Sequence, residues 1–158
     1  MNNEHTSFAR SKYVALSEHG SRLNLSFTSH LILGNRIVAL DGIRKCLLVL
    51  DMGPEIERIC FIDLNDIATV TLSKSYGSIN QQELEHKGIQ DFLEKVQLQF
   101  RFNNKNETIV LPFYDADINE QTDRARLEKS AASWQQLLSK MLGGRSKNDE
   151  TNSLPNIY

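Results

Sequence analysis

Four basic residues around one predicted hairpin are the strongest candidates for binding chemistry in this sequence. They are Arg36, Arg44, Lys45 and Arg58. Guanidinium and ammonium groups bind phosphate and carboxylate oxygens through charged hydrogen bonds, and a phosphate site needs such groups to converge from two strands. Asp41 lies in the same predicted turn, and its carboxylate opposes an anion there. The alternative to a ligand site is therefore an ordinary solvated hairpin face.

Residue spacings typical of catalytic or metal sites are absent from the sequence. The four histidines are scattered, and neither cysteine belongs to a Cys-x-x-Cys pair. The sequence contains no P-loop, no dinucleotide-binding glycine pattern and no GxSxG nucleophile elbow. Asp63 and Asp66 form an acidic pair, but turn formation explains both of them. We therefore predict a non-enzymatic protein that uses no metal and no cofactor.

Three aromatic residues at predicted strand ends are candidates for contact with a protein partner. Tyr76, Phe113 and Tyr114 are expected to be exposed, and aromatic side chains often anchor protein interfaces. Phe100 and Phe102 alternate with polar residues along a predicted strand, so we expect them in the core. Because the exposed aromatics lack basic neighbours, they favour a protein partner over a nucleic acid.

Length and composition are those of an ordinary globular chain with one core. The chain has 158 residues, of which 40% are hydrophobic and 24% charged, and its net charge is -2. This charge balance argues against a nucleic acid partner. Cys46 and Cys60 lie within apolar runs and are expected to be buried free thiols. Residues 1–20 lack the apolar segment of a secretory signal, and no apolar run is long enough to cross a membrane, so we expect a cytoplasmic protein.

The candidate residues lie on a predicted series of short antiparallel strands. A three-stranded meander begins at Asn35 and leads into a further strand that ends near Ser73. Its first turn is predicted at Asp41-Gly42, because this dipeptide readily takes the positive φ angles of a tight hairpin. The strand after that turn is apolar on both faces and is expected to be covered on both sides. Two shorter strands, Leu23–Phe27 and Leu31–Leu33, are predicted before the meander.

A polar insert at residues 78–94 is predicted to contain one or two helical turns. After it, Val96 to Phe102 alternates strictly between apolar and polar residues, which is typical of a half-buried strand. Thr108 to Leu111 is the predicted hairpin partner. Pro112 is expected to end that strand, since proline cannot donate a hydrogen bond to the ladder.

One amphipathic helix is predicted to follow the strands. Its apolar residues recur at steps of three and four and form a single stripe: Leu127, Ala131, Trp134, Leu138 and Met141. We expect Trp134 to be the main residue that closes the open end of the sheet. Asn119 and Thr122 are candidate caps, and Gly143-Gly144 is expected to end the helix.

These elements indicate a single domain at residues 21–143. Residues 1–20 are polar and are expected to form a flexible N-terminal segment, in which residues 11–17 favour either a short helix or a docking segment. Residues 144–158 are expected to form a disordered tail, because this stretch is polar and has no period.

The order of the elements resembles a pleckstrin-homology-like (PH-like) domain. The resemblance covers about residues 23–142 and rests on the strands at 35–73, the hairpin at 96–112 and the terminal helix at 123–142. The layout is also similar to that of small bacterial proteins of unassigned function. The fold that it implies is α+β and mainly β: a bent antiparallel sheet or partly open barrel of six to seven strands, capped by one C-terminal amphipathic helix.

The resemblance also implies candidate functions. In pleckstrin-homology domains that bind lipid headgroups, basic residues near the first hairpin hold the phosphates, which here suggests Arg44 and Lys45. We expect above all a binding or adaptor module for a protein partner, with strand addition to an open sheet edge as one route. The alternatives are weak contact with a membrane surface or anionic headgroup through the first hairpin, and a small-ligand carrier that uses the barrel interior. The dense apolar content of the strands argues for a filled interior instead.

Overall fold

Seven strands and two long helices form the part of the chain that the structure, a computed structural model, describes. The backbone is described for residues 2–53 and 56–153, and side chains for residues 12–53 and 56–142. The chain divides into two units, Met1–Asn65 and Asp66–Tyr158. The mainly β fold with a C-terminal helix is confirmed, and the strands form two antiparallel sheets, of four and three strands.

The first unit is a four-stranded antiparallel sheet with a helix on one face. Its elements in chain order are α1 (Asn2–Leu23), β1 (Ser29–Leu33), β2 (Arg36–Asp41), β3 (Cys46–Met52) and β4 (Glu57–Asp63). The strands are hydrogen-bonded in sequence order, so β1 and β4 are the edge strands. Ala15 and Leu16 of α1 pack on Ile37 of β2 and Leu50 of β3. The opposite face of β3 is buried as well, which confirms the prediction that both faces are covered.

The second unit is a three-stranded antiparallel sheet with the C-terminal helix packed against all three strands. Its elements are β5 (Ile67–Tyr76), α2 (Gln81–Leu84), β6 (Leu93–Phe102), β7 (Thr108–Asp115) and α3 (Arg124–Ser153), in the strand order β5-β6-β7. Three short 3-10 helices also occur, at Leu64–Asp66, Ile89–Phe92 and Gln121–Asp123. The predicted helical turns of the insert are confirmed by α2 and by the 3-10 helix that precedes β6.

The prediction of a strand at Leu23–Phe27 is wrong, because Leu23 is the last residue of α1. Asn24 takes a left-handed φ of 61 and ends the helix. Its N–H donates to Ser21 O (3.2 Å), and the N–H of Leu25 donates to Gly20 O (2.7 Å), which is the bonding pattern of a Schellman cap. The apolar alternation of this stretch instead reflects an extended connection that brings Phe27 onto the core of the first sheet.

The N-terminal helix is much longer than the short helix that was one alternative for residues 11–17. Residues 2–20 of the predicted flexible segment belong to α1, and Met1 lies outside the described residues. Gly20 is buried inside the helix. A Cβ atom there would lie 2.7 Å from Cε2 of Phe27, so the glycine makes room for this ring.

The helix α3 continues past Gly143-Gly144, so the predicted end at these residues is wrong. A glycine inside a helix costs only about 1 kcal/mol relative to alanine, and two of them do not by themselves stop it. Of the predicted tail at 144–158, residues 144–153 belong to α3 and residues 154–158 lie outside the described part of the chain.

The apolar stripe of α3 is confirmed, but Trp134 is only half-buried and does not lie at its centre. Among the described side chains of the helix, the buried residues are Leu127, Ala131, Leu138 and Leu142. At 100° per residue these four positions span a narrow arc, and positions 134 and 135 lie on opposite sides of it. Trp134 therefore flanks the buried stripe.

Candidate functional site

The structure separates the four predicted basic residues into two pairs. Arg36 and Arg58 both lie opposite Asp51 in the strand register, one on each side of it. Nη2 of Arg36 is 3.3 Å from Oδ2 of Asp51, so this charge is partly compensated within the sheet. Arg44 and Lys45 lie in the β2–β3 loop, at the opposite end of β2. A strand rises about 3.3 Å per residue, which places the two pairs about 16 Å or more apart. The four side chains therefore do not converge on one anion.

The β2–β3 loop is built on the buried carboxylate of Asp41. Oδ1 accepts hydrogen bonds from the N–H groups of Ile43 (3.0 Å) and Arg44 (2.9 Å), and Oδ2 accepts one from Ser26 N–H (2.9 Å). The bond from Arg44 N–H, together with those from Ser26 and Ile43, lowers the pKa of Asp41 against the opposing effect of burial. This carboxylate is a structural acceptor within the loop.

The tight turn predicted at Asp41-Gly42 is wrong, because four residues, 42–45, connect β2 and β3. The positive φ of this connection is at Lys45 (58), not at Gly42. The bonds from Ile43 and Arg44 to the Asp41 side chain favour the longer loop, since an aspartate can close a turn onto its own following backbone. At the tip of the loop the side chain of Ile43 is 82% exposed.

Of the three aromatic residues predicted to be exposed, only Tyr76 lies at the surface. Phe113 and Tyr114 are both buried, so their predicted exposure is wrong. A register shift between Val96 and Gln97 of β6 places a bulge in β7 at this point, and a bulge breaks the alternation of inward and outward side chains. Tyr114 is 1% exposed. Its hydroxyl group is buried, and no hydrogen-bond partner for this group is found among the described residues.

The two free cysteines lie on opposite faces of the first sheet. Cys46 is buried as predicted, whereas Cys60 is only half-buried. Burial raises the pKa of both thiols, which keeps them protonated at neutral pH. Within the described side chains, no cluster of three or more His, Cys, Asp or Glu residues is arranged to hold a metal ion.

Three of the four sheet edges carry features that discourage another strand. On β5, the carbonyl of Val70 accepts hydrogen bonds from Gln135 (3.1 Å) and Ser139 (3.4 Å) of α3. β7 contains Pro112, which does not end the strand as predicted but lies within it, paired with Gln97. Proline is tolerated there because its nitrogen faces the outer side of an edge strand, where it offers no donor. β1 is only five residues long.

The remaining edge strand, β4, presents unpaired backbone groups at alternate residues. Leu64 N–H donates to Lys45 O (2.9 Å), one pair beyond the end of the β3–β4 register. Hydrogen-bonded and non-hydrogen-bonded pairs alternate along an antiparallel ladder. The N–H and C=O groups of residues 58, 60 and 62 therefore point to β3, and those of residues 57, 59, 61 and 63 point to the open side.

An independent hydrogen bond gives the same alternation. Met52 N–H donates to Asn35 O (2.9 Å), so the even-numbered residues of β3 bond to β2. The odd-numbered residues of β3 are then left for β4, and the register pairs them with residues 58, 60 and 62.

The outward-bonding residues of β4 also carry the exposed apolar side chains of this edge. Ile59 is 41% exposed and Phe61 is 50% exposed. Ile59 lies opposite Leu50, and Phe61 opposite Leu48, so both side chains are on the face that carries α1. Two acidic residues flank them on that face: Glu57, whose Oε1 is 2.8 Å from Nε2 of His19, and Asp63, whose Oδ1 accepts the N–H of Asn65 (2.9 Å). We call Glu57, Ile59, Phe61 and Asp63 the β4 edge.

Sequence reasoning did not identify the β4 edge as a candidate site. β4 corresponds to the third strand of the predicted meander, but its position at the margin of the sheet depends on strand order. The alternation of Ile59 and Phe61 with more polar neighbours indicates a strand. The same alternation occurs in edge strands and in inner strands, so it does not identify an open edge.

A shallow polar depression lies at the β6–β7 turn. Its volume is about 490 Å³ and it is lined by Ala68, Arg101, Phe102, Asn103, Asn104, Lys105 and Asn106. Nζ of Lys105 lies 4.4 Å from the ring centre of Phe102 and 3.2 Å from a carboxylate oxygen of Glu107. Because its charge is already engaged by the ring and the carboxylate, Lys105 does not make the depression a strong anion site.

None of the comparisons with known proteins assigns this chain to a group. No protein-family model matches it, and neither a curated protein nor a solved structure shows significant similarity to it. In the part of the chain that the structure describes, no helix has both the length and the apolar character required to span a bilayer.

Proposed function

We propose that this protein is a non-enzymatic binding module that adds an extended segment of a partner protein to β4 as a fifth strand. The observation that carries the proposal is the β4 edge itself, where unpaired N–H and C=O groups alternate along a strand whose exposed side chains are Ile59 and Phe61. In strand addition the main chain supplies affinity and alternate side chains supply specificity. The β4 edge offers both.

The chemistry of this edge favours a protein segment over other partners. Exposed, flat apolar edges are a hazard for soluble proteins, and β5 and β7 are protected while β4 is not. An edge left open in this way is expected to have a binding role. The proposed scaffold is PH-like, as the order of the elements suggests, and the proposed location is the cytoplasm.

Selection from a displayed library of random peptides tests the proposal. The full chain is immobilised, and the enriched peptides are then measured against Ile59→Pro. This change removes the outward N–H of residue 59 without touching the β3–β4 ladder. We expect enriched peptides that bind the wild type and lose at least about tenfold in affinity with this variant, since the proline removes a donor to the peptide and places its ring in the path of the added strand.

A matched control uses the other proline-tolerant edge. Val110 of β7 is exposed and lies two residues from Pro112, with its N–H on the outer side of the strand by the same alternation. Val110→Pro should leave peptide binding unchanged. Circular dichroism verifies that both variants fold. A selection without enrichment, or peptides that bind wild type and Ile59→Pro equally, would contradict strand addition at β4.

A second candidate function is contact with an anionic membrane surface through the β2–β3 loop. The observation in its favour is the exposed Ile43 at the loop tip beside Arg44 and Lys45, because an apolar tip with basic neighbours suits the headgroup region of a bilayer. Arg44→Glu together with Lys45→Glu should then abolish sedimentation with vesicles that contain phosphatidylserine. Sedimentation that is unchanged in the double variant would remove this candidate.

A further inference from the structure

We propose that the β4 edge selects an antiparallel segment with a basic residue at each end, two apolar residues at alternate positions between them, and an acidic residue opposite Arg58. This inference rests on the proposed function and deepens it, because it states the chemistry and the direction of the partner strand. Numbered from its N-terminus, a seven-residue segment would place position 1 opposite Asp63 and position 7 opposite Glu57.

The α1 face of the edge determines the odd-numbered positions of the segment. Side chains directly opposite each other on paired strands lie about 4.5–5.5 Å apart, so each odd position meets one residue of the β4 edge. Position 3 meets Phe61 and position 5 meets Ile59, which are both exposed and apolar. Positions 1 and 7 meet the carboxylates of Asp63 and Glu57, which favours lysine or arginine at both ends.

The other face of β4 determines the direction of the segment. On this face the strand carries Arg58, which is exposed, Cys60, which is half-buried, and Ile62, which is buried. Arg58 has Asp51 opposite it on the β3 side, while no strand of the described residues pairs with β4 on its open side. An acidic residue at position 6 of an antiparallel segment would meet Arg58. In a parallel segment, position 2 would meet Arg58 instead of position 6. The position at which an acidic residue strengthens binding therefore shows whether the segment is antiparallel or parallel to β4.

A second copy of this chain fits the edge less well than a foreign segment. Self-pairing that covers the apolar residues places Ile59 opposite Phe61 of the second copy. The same register places Glu57 opposite Asp63 of the second copy at both ends of the interface. Like charges directly opposite each other destabilise a pair of strands. Charge complementarity therefore favours a partner with basic ends.

The test uses fluorescein-labelled peptides with blocked termini, titrated with the full chain and followed by fluorescence anisotropy at low salt. The first probe is Lys-Thr-Val-Thr-Ile-Glu-Lys, and the comparison is the charge-reversed Glu-Thr-Val-Thr-Ile-Lys-Glu. We expect the reversed peptide to bind at least about tenfold more weakly, because three favourable cross-strand charge pairs become repulsive. A third peptide, Lys-Glu-Val-Thr-Ile-Thr-Lys, places the acid for a parallel strand and should bind more weakly than the first.

N-methylation separates backbone pairing from side-chain contact. In the proposed register the N–H groups of the Val and Ile positions point to β4, and those of the two Thr positions point away. Methylating the Val and Ile nitrogens should abolish binding. Methylating the two Thr nitrogens adds the same number of methyl groups, but on the side that faces away from β4. The dissociation constant of this control peptide should stay within about threefold of the value for the unmethylated peptide.

A charge exchange at Arg58 tests the direction independently. The variant Arg58→Glu should weaken binding of the first probe and strengthen binding of Lys-Thr-Val-Thr-Ile-Lys-Lys, which carries Lys at position 6. Restored binding of the matched pair would assign this contact to residue 58, since a folding defect would weaken both peptides.

The outcomes distinguish the inference from the proposed function. If the first and the charge-reversed peptides bind equally and both are lost in Ile59→Pro, strand addition stands and the predicted charge pattern is wrong. If no peptide binds at millimolar protein, strand addition itself is wrong. A dimer in sedimentation that Ile59→Pro dissociates would overturn the choice of a foreign segment over a second copy.

Discussion

At the scale of single residues, Asp41 shows how a side chain that suggests charge chemistry can serve the backbone instead. Its carboxylate is 1% exposed and accepts three backbone N–H groups, from Ser26, Ile43 and Arg44. These bonds hold the β2–β3 loop and the connection that leads into β1. Removing the acceptor deprives three backbone donors of a charged partner, which is costly in the free energy of folding.

We predict that Asp41→Ala lowers the free energy of unfolding by ~3 kcal/mol, because three donors lose a charged acceptor. Asp41→Asn should cost less, since its amide oxygen can still accept. Urea denaturation at neutral pH measures both values. A loss below ~1 kcal/mol in the alanine variant would mean that water or another group replaces the carboxylate without penalty.

The same carboxylate predicts an acid-dependent loss of stability. Its pKa is lower in the folded protein than the ordinary value of 3.8. A carboxyl group with a depressed folded pKa contributes stability above its unfolded pKa, and this contribution is lost as the pH falls below that value toward the folded pKa. Denaturation at a series of pH values from 6 down should show a steeper decline for the wild type than for Asp41→Asn. Equal declines in the two proteins would assign the acid sensitivity to other groups.

Tyr114 is a residue whose hydroxyl group is expected to oppose folding. It is buried in β7, and no hydrogen-bond partner for its oxygen is found among the described residues. Tyr114→Phe should therefore keep or raise the free energy of unfolding, by up to ~1 kcal/mol, because an unsatisfied buried polar group is removed while the ring remains. Thermal denaturation compares the two proteins. A clear loss of stability would show that the hydroxyl group has a partner, such as a bound water molecule.

At the scale of elements, the apolar stripe of α3 does not by itself show which of its residues is most deeply buried against the sheet. Trp134 is the largest residue of the stripe, yet the buried positions among the described side chains of α3 are Leu127, Ala131, Leu138 and Leu142. Gln135, on the other side of that line, donates to Val70 O of β5. The helix therefore packs with Trp134 at one margin and a hydrogen-bonding side chain at the other.

This packing predicts the order of two alanine substitutions in α3. Leu138→Ala should lower the free energy of unfolding by ~3 kcal/mol, because it opens a cavity at a fully buried site. Trp134→Ala should cost less, since part of the indole ring already contacts water. Chemical denaturation of both variants measures the difference. A larger cost at Trp134 would restore this residue as the centre of the helix contact.

At the scale of the whole molecule, the sheet edges that are left unprotected determine where the protein can associate with another chain. The net charge is only -2 and the isoelectric point about 6.1, so charge repulsion between copies is weak near neutral pH. β5 is covered by side chains of α3, and β7 carries Pro112. The open β4 edge is therefore the expected route of both specific binding and unspecific association.

We predict that Phe61→Lys reduces aggregation without unfolding the protein. Phe61 is 50% exposed, and a lysine on an edge strand discourages pairing with another chain. Light scattering at rising protein concentration should show a later onset of aggregation, with a change in the free energy of unfolding below ~1 kcal/mol, as expected at an exposed site. Lys substituted at the exposed Val110 of β7 is the matched control and should have a smaller effect.

The sequence by itself determined the strand segments from β1 to β7, the helical turns of the insert and the apolar stripe of α3. These features follow from local periodicity, because the side chains of strands and helices alternate with fixed periods of about 2 and 3.6 residues. Local pattern was not sufficient at Asp41-Gly42, at Pro112 or at residues 23–27. At Asp41-Gly42 the Asp41 carboxylate accepts backbone N–H groups and favours a longer loop. Pro112 is tolerated within β7 because β7 is an edge strand. At residues 23–27 the cap of α1 takes the place of a strand.

Only the tertiary structure decided which strand is left open. Strand order makes β4 an edge, and the phase of its hydrogen bonds turns the backbone of Ile59 and Phe61 outward. It also decided that Phe113 and Tyr114 are buried. Contacts between residues distant in the chain set all of these properties, and the spacing of residues along one segment carries no information about them.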